Sequence, residues 1–219
     1  MTMVARSKII TFGRRELLIK SALVRLFALP PILNLLPRSQ PSRSVLKPPG
    51  EPTSAADMRD ALLQDLVQIV EGRVGRAFVA SVLVLEGQEL QHAAAPGLPA
   101  CYKEAVNGLL IGPHVGSCGT AAFRGHPIYV SDISTDPLWA PYSNIARMAL
   151  EAGLRACWSV PIMSGSKVLG TFGLYHREPR VPTVAERDLI AQAARPAALL
   201  FGRTSAVSAS NSAEGIFRG

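Results

Sequence analysis

The sequence predicts an α+β domain built around an antiparallel sheet. Two pairs of predicted strands are each joined by a tight turn: Phe78 to Leu85 with Glu89 to Ala94, and Leu154 to Met163 with Lys167 to His176. Tight turns join antiparallel neighbours, whereas parallel strands need long crossover connections. The two best-capped helices lie before and after these strands, and such segregation is typical of α+β proteins. We therefore expect a central sheet of five to six strands with both terminal helices on one face.

Composition and charge divide the chain into a neutral domain and two tails. Nine basic side chains and one acid fall within residues 1–50, although the whole chain carries a net charge of only +7. The basic charge therefore belongs to an N-terminal extension and linker, residues 1–54, and the predicted domain, residues 55–203, is close to neutral. Residues 204–219 are rich in Ser, Ala, Gly and Asn. We expect both tails to be disordered, and we expect no nucleic-acid partner.

Residues 16–36 form the longest apolar stretch of the sequence. Lys20 and Arg25 interrupt it and Pro30-Pro31 breaks it, so neither half has the ~20 apolar residues of a membrane span. Two hypotheses remain open: a cationic helix in weak contact with a membrane surface, or an unstructured extension. No segment long enough for a kinase, cyclase or DNA-binding domain remains, so we expect a separate effector protein to carry the output.

Cysteine and histidine usage indicates a cytoplasmic protein without a metal site. The three cysteines are an odd number, which argues against a disulfide framework and suits a reducing compartment. The four histidines lack the paired spacing of zinc ligands.

The first helix is predicted to start at a cap formed by Ser54 and Asp57 and to end at Gly72 and Gly75. Its expected buried face comprises Met58, Leu62, Leu66, Ile69 and Val70. The last helix starts at the capping box of Thr183 and Glu186, and Pro196 should kink it. Its expected apolar face comprises Leu189, Ile190, Ala193, Leu199 and Leu200.

Between the terminal helices, the valine-rich run from Phe78 to Leu85 predicts a strand covered on both faces. The turn at Ser164-Gly165-Ser166 joins the last two strands. The remaining predicted elements are a helix over 98–106, a glycine-rich loop over 112–119, a helix over 117–123, a strand over 127–131 and a helix within 136–152. The glycine-rich loop lacks the Gly-Lys-Ser/Thr ending of a phosphate-binding P-loop.

Four motifs occur in order along the domain: Gly116-Ser117-Cys118-Gly119-Thr120-Ala121-Ala122, Asp132 to Trp139, Gly153 to Ile162, and Val168 to Tyr175. Together they resemble a GAF domain, the small-molecule-sensing module of bacterial signalling proteins, in the branch found beside diguanylate cyclase and histidine kinase domains. The resemblance implies that a helical insert, residues 132–153, covers a pocket on the second face of the sheet. It also implies a homodimer formed through the terminal helices.

Alternation along the strand from Leu154 places Arg155, Cys157 and Ser159 on one face, which the resemblance puts beneath the insert. A half-buried guanidinium favours an anionic or carbonyl-bearing ligand, and the alternative is an ion pair with Asp132 or Asp136.

Aromatic residues and one thiol complete the predicted ligand site. Trp139, Tyr142 and Tyr175 can stack on a ring-shaped ligand or can simply fix a loop to the core. Cys118 lies where helix amides can lower a thiol pKa, and the alternative is an inert buried side chain. The complete set of predicted ligand-binding residues is Cys118, Thr120, Trp139, Tyr142, Arg155, Cys157, Ser159 and Tyr175.

Three functions are compatible with this resemblance. The first is a non-catalytic sensory module whose small ligand is unidentified; the cyclic-nucleotide pattern and the Cys-His pair of bilin-binding relatives are missing. The second is a free methionine-(R)-sulfoxide reductase, although the strand acid of that family is replaced by the segment Ala156-Cys157-Trp158. The third is a ligand-free dimerisation domain. No catalytic nucleophile with a paired base is found, and the sequence leaves open whether the protein has a cofactor.

Overall fold

The computed structural model describes residues 54–201 of the chain. Predictions for residues 1–53 and 202–219, including the membrane-surface hypothesis, lie outside the described residues. In chain order the elements are α1 (Ala55–Val74), β1 (Phe78–Glu86), β2 (Glu89–Ala94), α2 (Ala100–Val106), β3 (Leu109–Leu110), α3 (Gly116–Arg124), β4 (Ile128–Val130), a 3-10 turn (Ala140–Tyr142), α4 (Ser143–Glu151), β5 (Ala156–Ser164), β6 (Lys167–His176) and α5 (Val184–Phe201).

The six strands form one sheet in the order β3-β2-β1-β6-β5-β4, and every pair is antiparallel. This confirms the α+β fold and the predicted strand number. β3 is absent from the predicted elements because two residues are too few to show a periodicity. The bounds of β6 agree with the prediction residue for residue.

Strand register assigns each buried side chain of the sheet to one face. Tyr175 on β6 lies opposite both Val79 on β1 and Cys157 on β5. These three residues belong to a buried cluster with side chains of α2, α3 and residues 132–153. Because neighbouring residues of a strand point to opposite faces, Trp158 and Leu174 face the terminal helices.

The terminal helices contact each other and the central strands on the face opposite the insert, as predicted. At the start of α1, the Ser54 hydroxyl accepts from the Asp57 backbone and the Asp57 carboxylate accepts from the Ser54 backbone. The helix continues through Gly72 and ends at Gly75, whose φ of 93° requires glycine. Its buried residues are Leu63, Leu66, Val67 and Val70.

Two details of the predicted helix faces are wrong. On α1, Met58, Leu62 and Ile69 are only half-buried, whereas Leu63 and Val67 are fully buried. On α5, Leu199 is 55% exposed. In both helices, packing against the sheet and the other helix decides which residues are buried. The apolar pattern alone does not show which residue lies at the middle of the buried face. Pro196 lies inside α5 and is buried.

On the second face, α2, α3 and α4 cover the sheet. α3 contacts β4, β5 and β6, while α2 packs against α4 and β2. Within residues 54–201, no helix has the length and apolar character that crossing a membrane would require.

Candidate functional site

A cluster of buried thiols and hydroxyls lies beneath the first turn of α3. The Cys118 sulfur and the Ser159 hydroxyl are 3.0 Å apart and share a hydrogen bond, and the Ser117 hydroxyl donates to the Cys157 sulfur at 2.8 Å. The Tyr175 oxygen lies 4.0 Å from the Cys118 sulfur. All of these side chains are buried. The fold therefore brings Cys118, Cys157, Ser159 and Tyr175 together, and Cys157 and Ser159 share a face of β5 as the strand alternation predicts.

A small cavity adjoins this cluster. Its volume is about 30 Å³, which is room for one or two water-sized groups. It lies between α2, the start of α3 and the 3-10 turn with α4. The lining residues are Tyr102, Val106, Leu109, Val115, Gly116, Ser117, Cys118, Gly119, Trp139, Tyr142, Ile145 and Tyr175.

Residues 132–153, which we call the roof segment, supply one wall of this cavity through Trp139, Tyr142 and Ile145. Trp139 is 5% exposed, and its indole Nε1 has no hydrogen-bond partner. Its indole packs over Gly116, where a Cβ would lie 3.5 Å from the ring. The Gly116 amide donates to the Leu138 carbonyl at 2.8 Å, which fixes the roof segment to the start of α3.

Four of the predicted ligand-binding residues do not line the cavity: Thr120, Arg155, Cys157 and Ser159. Cys157 and Ser159 belong to the adjoining cluster, whereas Arg155 and Thr120 lie in neither. The half-buried Arg155 guanidinium donates to the carbonyl oxygens of Leu150 and Leu154, at 2.8 and 3.3 Å. The Thr120 hydroxyl accepts from the Val115 amide at 3.0 Å. Both side chains have intramolecular partners here, and their contact with a ligand stays a prediction.

The family model described as "GAF domain" matches residues 56–201. The chain belongs to the GAF domain family. A curated relative, the methyl sulfide methyltransferase-associated sensor of Methanosarcina acetivorans, is 33% identical over 166 residues. That match covers 75% of this chain but only 16% of the relative, so the chain spans a small part of that protein's length.

Solved structures confirm the GAF fold. The GAF domain of an Acinetobacter phosphoenolpyruvate-protein phosphotransferase has a TM-score of 0.56 at 14% identity, covering 90% of this chain and 99% of that one. The type II free methionine-R-sulfoxide reductase of Thermoplasma acidophilum has a TM-score of 0.57 at 14% identity, covering 69% of this chain and 96% of that one. At such identities the similarity concerns the fold alone.

The two buried thiols of this GAF domain differ in acidity. A hydrogen bond from Cys157 lowers the pKa of Cys118 to about 7, against burial, with further help from the hydroxyls of Ser159 and Tyr175. Burial raises the pKa of Cys157 well above its ordinary value, and the charge of Cys118 adds to this effect. The pair therefore loses one proton near neutral pH and retains the other.

We predict that thiolate ultraviolet absorbance of the GAF domain rises with a midpoint near pH 7 for one thiol. The variant Cys157→Ala removes the main cause of the lowered pKa, so the midpoint should move to higher pH. The exposed Cys101 provides the control, because Cys101→Ala should leave the transition near pH 7 in place. An unchanged midpoint in Cys157→Ala would contradict this assignment.

Eight lining residues are not among the predicted ligand-binding residues, namely Tyr102, Val106, Leu109, Val115, Gly116, Ser117, Gly119 and Ile145. Tyr102 and Ile145 lie on predicted helices, but nothing in a single sequence shows which helix faces meet. Ser117 adjoins Cys118 in the first motif, and its position there is a signal that could have included it. Among residues 54–201, no group of His, Cys, Asp and Glu has the arrangement of a metal site.

Proposed function

We propose that this GAF domain is a non-catalytic sensory module that binds a small molecule beneath the roof segment and thereby changes its contacts with a signalling effector protein. Membership of the GAF family and the sensor named among its relatives support the signalling role. The site adds a physical reason for ligand binding.

The observation that carries this proposal is the unpartnered indole N–H of Trp139. A buried donor without an acceptor costs about 1–3 kcal/mol. Trp139 lines the cavity together with Tyr142 and Tyr175, which offer ring faces and phenolic oxygens. A flat ligand with a hydrogen-bond acceptor would pair with the indole and stack on these rings.

The cavity volume implies that the roof segment moves. At about 30 Å³ the cavity is far smaller than the roughly 300–1,000 Å³ of ordinary ligand sites. A metabolite of ordinary size would therefore displace Trp139, Tyr142 and Ile145. A ligand that binds only the displaced conformation shifts the population toward it, which is the requirement for a sensor.

The signal would leave through the terminal helices, by which we propose that two copies pair. α1 and α5 pack on each other, and α5 exposes Val184 and Leu199, at 75% and 55%. The three free cysteines agree with a cytoplasmic location.

The reductase hypothesis has weaker support. Among residues 54–201 the buried polar and charged side chains are serines, threonines and one histidine, without a carboxylate. The strand segment Ala156-Cys157-Trp158, where the resemblance implies an acid in the reductases, contains none. Steady turnover of methionine-(R)-sulfoxide with dithiothreitol would favour the enzyme over the sensor.

Ligand binding is tested by native mass spectrometry of the protein purified from its own cells, followed by a thermal-shift screen against soluble metabolites. We expect a retained small molecule, and stabilisation by about 2.7 kcal/mol at a hundredfold excess over Kd. Trp139→Phe keeps the ring and removes the N–H, so the affinity should fall roughly tenfold.

Trp158→Phe is the matched control, because Trp158 is the second of the two tryptophans and faces the terminal helices. It should leave the ligand affinity unchanged. If nothing is retained and no metabolite stabilises the protein, the ligand-free dimerisation domain is the better account.

A further inference from the structure

We propose that Cys118 and Cys157 form an oxidation site for small hydroperoxides, with Cys118 as the attacking thiol and Cys157 as the thiol that closes an intramolecular disulfide. The chemistry of this site is independent of the ligand proposed above. Only its use as a signal rests on the proposed sensory function.

The two thiols lie in one buried cluster although 38 residues separate them along the chain. Cys118 lies in the first turn of α3 and Cys157 on β5, and both sulfurs approach the same Ser159 hydroxyl. The Ser159 hydroxyl lies 3.0 Å from the Cys118 sulfur and 3.9 Å from the Cys157 sulfur. Both sulfurs are thus near one oxygen atom, and forming the disulfide requires a side-chain movement that brings them to ~2.05 Å from each other.

Access distinguishes the two roles. Cys118 lines the cavity and is 8% exposed, whereas Cys157 is fully buried and does not line it. A volume of about 30 Å³ accommodates hydrogen peroxide, which is little larger than water, but not a branched organic peroxide. The oxidant therefore meets Cys118 first.

Protonation favours the same assignment. With a pKa of about 7, roughly half of the Cys118 side chains are thiolate near neutral pH, and the thiolate is the nucleophile. The raised pKa of Cys157 keeps that thiol protonated until a partner reacts with it.

The reaction balances in two steps. The Cys118 thiolate attacks one oxygen of the peroxide, the O–O bond breaks, and the departing hydroxide takes a proton from solvent to become water. This leaves Cys118 as a sulfenic acid. The Cys157 sulfur then attacks the Cys118 sulfur; the S–O bond breaks, and the hydroxide leaves as water with the Cys157 proton. Two thiols are oxidised to one disulfide, and one peroxide is reduced to two waters.

The product would change the contacts at the start of α3. A disulfide replaces the hydrogen bond between Cys118 and Ser159 and the one from Ser117 to Cys157. The adjacent Gly116 packs under Trp139 and donates to Leu138, so a shift of this turn acts on the roof segment directly.

The test treats the fully reduced full-length protein with hydrogen peroxide and maps the cysteines by mass spectrometry without reduction. We expect a product lighter by two hydrogens that contains a linked Cys118–Cys157 peptide. Cys118 should react about tenfold faster than the exposed Cys101 of the same molecule, because a thiol with a pKa of about 7 is substantially ionised at neutral pH. A product oxidised at Cys101 while Cys118 and Cys157 stay free would overturn the proposal.

Variants and a bulkier oxidant separate the steps. Cys157→Ala should stop at a Cys118 sulfenic acid, seen as the gain of one oxygen in the mass of the Cys118 peptide, and should react more slowly because its Cys118 pKa is higher. Cys101→Ala should still form the disulfide. tert-Butyl hydroperoxide should react at least tenfold more slowly than hydrogen peroxide, and equal rates would contradict entry through the cavity. The metabolite screen is done on reduced protein, so the outcomes for ligand binding and for oxidation are independent.

Discussion

Replacing Gly170 with alanine should be among the most destabilising single substitutions in the described part of the chain. Gly170 lies on β6 between β1 and β5, opposite Val84 and Ile162. A Cβ added there would overlap the backbone oxygen of Leu83 and lie 3.1 Å from the Val84 Cα. Backbone atoms in the middle of a sheet cannot move aside as a flexible side chain can, so two strand pairs must shift.

We expect Gly170→Ala to lower the free energy of unfolding by about 4 kcal/mol, measured by urea denaturation. Typical total stabilities are about 5–15 kcal/mol, so the variant should be near the limit of folding. Gly72→Ala is the matched control. Gly72 is an exposed residue of α1 with no atom within 4 Å of an added Cβ, so that variant should gain about 0.5–1 kcal/mol. A loss below about 1 kcal/mol for Gly170→Ala would show that the sheet can separate locally.

Local patterns in the sequence were sufficient to predict most of the fold. The tight turn at Ser164-Gly165-Ser166 fixes the hairpin of β5 and β6, and the capping residues Ser54 and Thr183 locate the starts of α1 and α5. Each of these signals lies within a few residues of the feature that it predicts. Alternation along β5 likewise places Cys157 and Ser159 on the face covered by α3, and the observed hydrogen bonds confirm this.

The details of the site depend on contacts between distant residues, which no local pattern contains. Cys101 and Cys118 are closer in sequence, yet the fold pairs Cys118 with Cys157. Arg155 is predicted to share a face with Cys157 and Ser159 and to contact a ligand. Its guanidinium donates to the carbonyl of Leu150 at the end of α4. The small cavity volume results from how closely side chains of α2, α3 and the roof segment approach, which only the packed structure determines.

The second large effect is expected for Trp158→Ala, which separates the stability of the sheet from the chemistry of the site. The Trp158 ring is fully buried and stacks on the His176 ring, with 6.5 Å between the ring centroids. The Arg180 guanidinium carbon lies over the same ring, 5.4 Å from its centroid. Its Nε1 donates to the Arg180 carbonyl at 3.3 Å. Truncating a buried tryptophan costs about 3–5 kcal/mol, because the lost contacts are not replaced and a void remains. We expect a loss of that size in urea denaturation.

The adjacent residue Ser159 points to the opposite face of β5 and provides the contrast. Ser159→Ala removes one small hydroxyl, so the free energy of unfolding should fall by only about 1 kcal/mol. It also removes a hydrogen bond that lowers the pKa of Cys118, so the thiolate midpoint should move above pH 7. Trp158→Ala, measured at a temperature where it is folded, should keep that midpoint. If the two variants affected stability and thiol acidity to the same extent, the two faces of the sheet would not be the independent layers that the strand register indicates.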